Sequence, residues 1–480
     1  MEFKNLSLKQ IIAEIKSGKT TQKEVYEYFL ARIKTLDTTL EAFNLVHETY
    51  NPQDIHSPLA WVPIGVKDVF SEIGIETTAS SKMLTGYKPP YDATIISLLK
   101  EAGFSSIGKL NMDEFAMWGS GENSAIRTTK NPWDVSRIPG GSSSGSAAAV
   151  ASGMIPAALG TDTGWSIRQP ASMCGIVGFK PTYGRNSRKW VIAMASSLDT
   201  PGTFTKTVED AAFLYEIMAG YDPWDSTSLQ ASVSINPQIW TQKDLRGIKI
   251  GVPKEYFIDG IEPGVRREID NALTKLRELG AQIQEVSLPN TKYGLAVYYI
   301  TCPAEVSTNM ARYDGIRFGH THGGGMDIST SRSEWFGKEV QRRIMLGSFV
   351  LSSGFYDAYY RKAALVRELI KDDFKKTFEQ VDVLVTPVSP CVAWKIGDKT
   401  DDPLKMYLAD IFTVNGSLAG LPGISIPVWY ALPEEGNAGE LPVWLQIIGP
   451  ELWEEKIFEV AHVLEGAMKN YINTRKPSIF

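Results

Sequence analysis

The chain has 480 residues, of which 43% are hydrophobic and 22% are charged, and its formal net charge is -6 at pH 7. This length can bury a large core, and the negative balance argues against a chain that binds nucleic acid unaided. Three widely separated cysteines exclude a disulfide framework and favour a reducing, cytoplasmic location. No apolar run approaches the roughly 18 residues needed to span a bilayer, so no membrane segment is expected.

The first forty residues predict two helices. Ser7 can cap the first helix, and Thr21 with Glu24 forms a capping-box pattern at the start of the second. Apolar residues recur at helical spacing in both, namely Leu8, Ile11, Ile12 and Ile15, then Val25, Phe29 and Ile33. We expect residues 1–60 to pack as N-terminal helices on a larger body.

From about Ile64 onward, short apolar or β-branched runs alternate with helical segments, which predicts an α/β fold. Strands are predicted at 247–253, 282–286 and 381–385, and helices at 265–279 and 454–469.

Two stretches, near 220–245 and 320–335, are predicted as loops, and neither has the composition of a long flexible linker. We therefore expect a single domain over residues 1–480. Its predicted parts after the N-terminal helices are a catalytic core at 61–215, an insertion and substrate-side region at 216–345, and the rest of the core at 346–480.

A serine-rich loop, Pro-Gly-Gly-Ser-Ser-Ser-Gly-Ser, occupies residues 139–146. It can be interpreted as a flexible linker, a phosphate-cradling loop or a tight active-site turn. The linker interpretation fits poorly because residues 147–151 follow directly and predict a buried helix. The phosphate interpretation lacks the Gly-Lys-Ser/Thr ending of a P-loop. Ser142 is therefore a candidate for an active-site turn.

A second serine, Ser166, ends a glycine-containing turn and can present its hydroxyl as a nucleophile. The backbone N–H groups of Thr163, Gly164, Trp165 and Ser166 can then converge on a developing oxyanion. Ordinary serine hydrolases use a histidine base. None of the five histidines lies in a recognisable triad motif.

Lys67, in Pro-Ile-Gly-Val-Lys-Asp, is the candidate base. A lysine can act as a base only when it is neutral, which burial and nearby positive charge favour. A lysine too distant to touch the nucleophile can work through a hydroxyl relay, which Ser142 supplies. A structural or surface lysine is the competing interpretation, and the residues alone leave it open.

In these settings Lys67, Ser142 and Ser166 resemble the Ser-cisSer-Lys triad of the amidase signature family, and the resemblance covers nearly the whole chain. It implies that Ser166 is the acylated nucleophile, that Ser142 is the bridging serine with a cis peptide bond, and that Lys67 is the base. The fold it implies is α/β, with one large mixed, twisted β-sheet covered by helices on both faces.

Within this family, the chain is similar to the glutamine-hydrolysing components of tRNA-dependent amidotransferases. Segments 112–117, 122–124, 130–134, 311–317, 341–347, 355–360 and 406–411 carry this similarity. It implies hydrolysis of glutamine to glutamate and ammonia, which a partner protein uses to amidate Glu-tRNA(Gln) or Asp-tRNA(Asn). It further implies a heterotrimer with subunits B and C, ATP and Mg²⁺ in the partner, and no metal or cofactor in this chain.

The same resemblance assigns glutamine contacts to Tyr298, Arg343 and Asp410. Arg343 can pair bidentately with the α-carboxylate, and Asp410 can hold the α-ammonium. The alternative interpretations are a surface arginine and a helix-capping or exposed aspartate. Two other functions stay open, namely a stand-alone amidase of another amide and a catalytically silent assembly subunit.

Several tryptophans stand where the resemblance has glycine, and we call them the family-glycine tryptophans: Trp61, Trp118, Trp165, Trp190, Trp335, Trp429 and Trp444. A glycine needed for positive φ or close backbone approach would not tolerate an indole, and overpacking typically costs about 1–3 kcal/mol per site. We hypothesise that the source reads UGA codons as glycine, whereas the translated sequence shows tryptophan. Deliberate redesign of the pocket is the competing hypothesis. An indole at position 165 predicts crippled glutaminase activity.

Overall fold

A computed structural model of the chain describes residues 1–49, 62–320, 327–400, 406, 408–433, 439–472 and 475–480. Trp61 lies outside the described residues. Within the described ranges, none of the helices combines the length and apolar character needed to cross a bilayer.

Eleven strands in the described part of the chain form one mixed sheet. They are β1 Phe43–Val46, β2 Val62–Lys67, β3 Phe104–Leu110, β4 Ala157–Asp162, β5 Val177–Lys180, β6 Thr200–Thr205, β7 Lys249–Pro253, β8 Gln282–Val286, β9 Val383–Pro387, β10 Gly423–Ala431 and β11 Leu441–Ile448. Their order across the sheet is β1-β3-β2-β4-β6-β5-β10-β11-β9-β7-β8. Strands β3, β2 and β4 are parallel neighbours, as are β9, β7 and β8.

The α-helices of the described residues are α1 Leu8–Lys16, α2 Gln22–Leu40, α3 Thr94–Glu101, α4 Ser144–Ala151, α5 Arg168–Cys174, α6 Val208–Met218, α7 Pro263–Glu278, α8 Gly294–Asn309, α9 Ile328–Trp335, α10 Lys338–Leu351, α11 Lys362–Phe378, α12 Val414–Leu418 and α13 Glu454–Ile472. A π-helical segment, Tyr356–Arg361, leads directly into α11.

The middle of the sheet is covered on both faces. Every residue of β2, β4, β6 and β11 is buried, and successive side chains of a strand point to opposite faces. Helix α4 packs on β4, while α5, α7 and α13 pack on β10. The predicted α/β fold with one large mixed sheet is therefore confirmed.

The two N-terminal helices are confirmed with their caps. Ser7 and Gln10 form a reciprocal capping box at α1, and Thr21 and Glu24 form another at α2. The predicted stripes are largely buried, since Leu8, Ile11, Val25, Phe29 and Ile33 are each at most 1% exposed. The local hydrogen bonds and the apolar spacing thus agree on where these helices begin and which face packs inward.

The predicted strands and helices of the second half match β7, β8, β9, α7 and α13 to within a few residues. The predicted loop near 320–335 is wrong for its second half, which forms α9. Asp327 caps this helix by accepting a hydrogen bond from the Thr330 backbone N–H at 3.1 Å. The segment Ser-Thr-Ser-Arg-Ser-Glu has no apolar period, so the signal that marks an amphipathic helix is missing there.

One buried carboxylate fastens α1 to the core. Asp210, in the first turn of α6, accepts hydrogen bonds from the backbone N–H groups of Leu8 at 2.9 Å and Lys9 at 3.0 Å. These two groups are among the donors that a helix N-terminus leaves unsatisfied. Asp210 therefore replaces water at the start of α1.

We expect Asp210→Ala to lower the free energy of unfolding by about 1.5–3 kcal/mol, because hydrogen bonds to a charged group are lost from buried donors. Its neighbour Glu209, which is 40% exposed and pairs with Lys9, provides the control. Glu209→Ala is expected to change stability by about 1 kcal/mol or less. Chemical denaturation of both variants measures the difference, and equal effects would contradict the role of Asp210.

Candidate active site

The site forms where two parallel strands end and two helices begin. Strands β2 and β4 pair in parallel with Gly65 opposite Ala158, so their carboxyl ends, which carry Lys67 and Asp162, lie at the same edge. Ser142 precedes α4 by two residues, and Ser166 precedes α5 by two residues. The sheet edge outside the carboxyl ends of parallel strands is the usual place for a ligand site in an α/β fold.

The Lys67 side chain is completely buried and surrounded by hydroxyl groups. Its Nζ lies 2.8 Å from Ser142 Oγ, 2.8 Å from Ser143 Oγ and 2.8 Å from Thr161 Oγ1. The surface interpretation of Lys67 is therefore wrong, and the amine is joined directly to the hydroxyl predicted as the relay.

Burial lowers the pKa of Lys67 to about 7, while the negative charges of Asp113, Asp162 and Asp199 act in the opposite direction. Removing an ammonium from water disfavours the charged form more than these carboxylates favour it. A substantial fraction of this lysine is therefore neutral near pH 7.

A buried ion pair closes the loop that carries Ser166. Asp162, at the end of β4, and Arg168, at the start of α5, form two hydrogen bonds of 3.0 Å, from Nε to Oδ2 and from Nη2 to Oδ1. Both side chains are at most 1% exposed. Burial would raise the pKa of the Asp162 carboxyl, but the Arg168 guanidinium lowers it below its usual range. The two ends of the loop are thus fixed by a bidentate contact.

The same arginine orients the peptide groups inside the loop. Arg168 Nη2 donates to the Gly164 carbonyl at 2.8 Å, and Thr163 Oγ1 donates to Asp199 Oδ1 at 2.7 Å. No described group accepts a hydrogen bond from the backbone N–H groups of residues 163 to 166. Donors left without partners inside a buried loop are available to a bound anion.

Gln169 joins this loop to the loop of Ser142. Its Oε1 accepts from the Gly141 backbone N–H at 3.0 Å, and its Nε2 donates to the Gly119 carbonyl at 2.7 Å. The peptide bond between Gly141 and Ser142 is cis, as the resemblance implied. The hydroxyl of Ser166 makes no hydrogen bond to a described group, so the structure brings Lys67 and Ser142 into contact but does not join Ser142 to Ser166.

The three predicted glutamine contacts form a second buried cluster. Tyr298, Arg343 and Asp410 are each 1% exposed, so the interpretations of a surface arginine and an exposed aspartate are wrong. Arg343 Nε donates to Glu339 Oε1 at 2.8 Å, whereas its Nη2 atom has no partner among the described residues. Both carboxylate oxygens of Asp410 also lack a described partner.

Buried polar groups that lack a hydrogen-bond partner are rare because each costs desolvation energy. Burial raises the pKa of Asp410 well above its ordinary value, and the nearby positive charges of Lys399 and Arg343 only partly oppose this. A ligand that carries both a carboxylate and an ammonium group would pair with both side chains.

The Trp165 indole packs against this second cluster. Its ring centroid is 5.1 Å from that of Tyr298, and the side chain is 2% exposed. The point where a Cβ on Gly119 would sit is 2.8 Å from Trp165 Nε1 and 3.3 Å from Asp410 Oδ2. The indole therefore occupies space next to two of the three predicted glutamine contacts, and its N–H has no described partner.

Several residues of the site were not predicted from the sequence. Ser143 and Thr161 contact Lys67, and Asp199 and Gln169 hold the loops, but each stands among similar polar residues that give no separate signal. Asp162 and Arg168 flank the predicted loop six residues apart. Their opposite charges at the two ends of a nucleophile loop are the signal that could have identified the ion pair.

Within the described residues, no group of three or more His, Cys, Asp or Glu side chains is placed to hold a metal ion.

The chain matches the family model described as Amidase over residues 24–458. It is 50% identical to the A component of the Glutamyl-tRNA(Gln) amidotransferase of Carboxydothermus hydrogenoformans, over 97% of this chain and 98% of that protein. The crystal structure of the corresponding component from Thermotoga maritima is 42% identical, with a TM-score of 0.82, over 97% of this chain and 95% of that chain. A peptide amidase from Stenotrophomonas maltophilia is 26% identical, with a TM-score of 0.78, over 99% of both chains.

The chain therefore belongs to the amidase family of enzymes. The predicted resemblance to this family is confirmed over nearly the whole length. Its similarity to the A component of a Glutamyl-tRNA(Gln) amidotransferase extends from the sequence to the fold.

We expect Arg168→Met to lower the free energy of unfolding by about 3–5 kcal/mol, because it leaves the Asp162 carboxylate buried without its charge partner. Arg246, which pairs with Asp244 but is 82% exposed, provides the control, and Arg246→Met is expected to cost about 1 kcal/mol or less. Chemical denaturation measures both. A stability loss at Arg168 no larger than that at Arg246 would show that the ion pair does not hold the loop.

Proposed function

We propose that this chain is the glutaminase subunit of a tRNA-dependent amidotransferase. The observation that carries the proposal is the pair of buried, unpartnered groups, Arg343 Nη2 and the Asp410 carboxylate, in a family of amide-hydrolysing enzymes. A glutamine molecule offers an α-carboxylate to Arg343 and an α-ammonium to Asp410. A simple hydrophobic amide would leave Arg343 Nη2 and the Asp410 carboxyl group buried without hydrogen-bond partners.

Lys67 is the base in this proposal. A neutral amine has two N–H groups and one lone pair, yet three hydroxyl oxygens surround Nζ at 2.8 Å. Two hydroxyls can accept from the amine, and the third must donate to its lone pair. We assign the donating role to Ser142, because it is the hydroxyl proposed to relay protons from the nucleophile. The Ser142 hydroxyl proton passes to Lys67 Nζ while Ser142 Oγ accepts the hydroxyl proton of Ser166.

The reaction then runs through an acyl-enzyme. Ser166 Oγ bonds to the side-chain amide carbon of glutamine, and the backbone N–H groups of residues 163 to 166 donate to the oxyanion. The carbon–nitrogen bond breaks as the proton held by Lys67 returns through Ser142 to the leaving nitrogen, which departs as ammonia. A water molecule, deprotonated along the same route, then attacks the acyl carbon. The ester bond to Ser166 Oγ breaks as the proton returns through Ser142 to that oxygen, and glutamate is released.

The relatives named as components of Glutamyl-tRNA(Gln) amidotransferase, one of which is 50% identical to this chain, support the role of the ammonia. We propose that it is delivered to partner subunits B and C in the cytoplasm. There it amidates a mischarged aminoacyl-tRNA, with ATP and Mg²⁺ bound in the partner. The second function open to this chain is a silent assembly subunit, which the position of the Trp165 indole favours.

The function is tested by ammonia release from glutamine in the complex of this chain with its partner subunits. We expect activity from the chain with glycine at position 165, since the indole otherwise occupies the space beside Tyr298 and Asp410. Ser166→Ala, made in that glycine-165 chain, is expected to abolish the activity. Hydrolysis of simple aliphatic or aryl amides in preference to glutamine would instead identify a stand-alone amidase.

In the chain with glycine at position 165, we expect kcat/KM for glutamine to rise with pH and to level off above about pH 7, since only neutral Lys67 can accept a proton and burial lowers its pKa to about 7. One pH unit below this pKa, the rate should be about tenfold below the plateau. Lys180, whose pKa burial also lowers to about 7, provides the control. Lys180→Gln should keep the inflection, and a rate that is flat from pH 5.5 to 8.5 would exclude Lys67 as the base.

We expect Asp410→Asn, in the chain with glycine at position 165, to raise KM for glutamine by about thirtyfold or more, because the α-ammonium loses a buried charge partner. Hydrolysis of a short aliphatic amide without an amino group should not change. The exposed Asp372 provides the control, and Asp372→Asn should leave both reactions unaffected. Equal losses with both substrates at Asp410 would mean that the carboxylate only supports the fold.

A further inference from the structure

Two of the family-glycine tryptophans have a backbone conformation that suits glycine. The φ angle is +130° at Trp118 and +62° at Trp190. Residues that carry a Cβ rarely adopt φ angles in this range, because the Cβ approaches neighbouring backbone atoms. Glycine adopts it at little steric cost. The backbone conformation at these two positions is therefore unfavourable for tryptophan.

Three other members of the set, Trp165, Trp335 and Trp444, bury an indole N–H that has no described partner. By contrast Trp133, which lies outside the set, donates its indole N–H to the Cys174 carbonyl at 2.8 Å. Trp394, also outside the set, shares the unpaired N–H, so this feature is not enough by itself. The described residues thus provide no hydrogen-bond acceptor for these three indole N–H groups, although buried tryptophans usually have one.

The sixth described member, Trp429, lies in β10, where the pairing with β11 shifts register between Pro427 and Trp429. Such irregularities often mark a glycine, since it lets a strand bend without a side chain to place. Backbone angles, indole contacts and strand register are separate observations.

Position 165 has the clearest functional consequence. A Cβ on the preceding residue, Gly164, would lie 3.0 Å from the Tyr298 ring, so the loop already packs tightly there. The Trp165 indole adds a ring against Tyr298 and lies beside Asp410, where the proposed function puts the α-ammonium of glutamine. The indole and the substrate cannot share this space, because protein interiors are close-packed.

We propose that the protein made in its native source carries glycine at positions 118, 165 and 190, and for the same reason at positions 335, 429 and 444. The second part of the proposal is that an indole at position 165 excludes glutamine from the pocket. A UGA codon that the source reads as glycine explains all these positions at once. Redesign of the pocket explains position 165 but gives no reason for Trp190, which is 44% exposed, or for Trp444 in the sheet. The statement about glutamine rests on the proposed function, whereas the statement about glycine does not.

The identity of these residues is tested by peptide mass spectrometry of the chain purified from its native source. Peptides that cover positions 118, 165 and 190 are expected to have the mass of glycine at each, and the peptide that covers Trp133 should have the mass of tryptophan. Tryptophan at positions 118, 165 and 190 would overturn the proposal.

The blocking role of the indole is tested with labelled L-glutamine and the assembled complex. Complexes that carry tryptophan at position 165 should not bind glutamine at concentrations that saturate the Trp165→Gly form, and Trp165→Ala provides a second variant if the glycine form does not fold. Trp453→Gly, at an exposed tryptophan outside the set, should not restore binding.

Equal glutamine binding by the tryptophan and glycine forms would overturn the blocking role. Glycine in the native peptides together with binding of glutamine by neither form, but hydrolysis of another amide by Trp165→Gly, would support the glycine assignment and refute the glutaminase function instead. The two failures can therefore be told apart.

Discussion

The buried contact between Asp162 and Arg168 is the interaction on which the rest of the site depends. It joins the end of a central strand to the start of a helix and so fixes both ends of the loop that carries Ser166. The same guanidinium holds the Gly164 carbonyl, and this orientation leaves the neighbouring N–H groups without described acceptors. A buried salt bridge of this kind fixes the geometry of the loop more than it adds to the net stability of the fold, because desolvation offsets much of its Coulomb energy.

Two groups of buried polar side chains adjoin this loop. In the first group, burial makes Lys67 a weak base in contact with three hydroxyl groups. In the second group, Arg343 and Asp410 carry polar atoms that the described protein leaves without partners. The first group is suited to proton transfer, and the second is suited to a ligand that carries both a carboxylate and an ammonium group.

The sequence predicted the elements that carry a periodic or local signal. The capping residues Ser7 and Thr21 and the strand at 282–286 are examples, because their patterns depend on neighbours in the chain. Helix α9 was missed since its polar residues show no period. Thr161 and Gln169 were missed because their roles arise from contacts across the sheet edge, and such contacts depend on tertiary packing. The burial of Arg343 likewise follows from tertiary packing, so its residue type alone was also consistent with an exposed arginine.

Because Lys67 is the last residue of β2, the direction of its side chain depends on the number of residues in this strand. Side chains alternate between the two faces of a strand, and every residue of β2 is buried. Inserting or deleting one residue in this strand would turn the amine away from its hydroxyl partners and towards the opposite layer of helices. Evolution can therefore exchange one apolar side chain for another within the strand, but it has almost no freedom to alter the number of residues there.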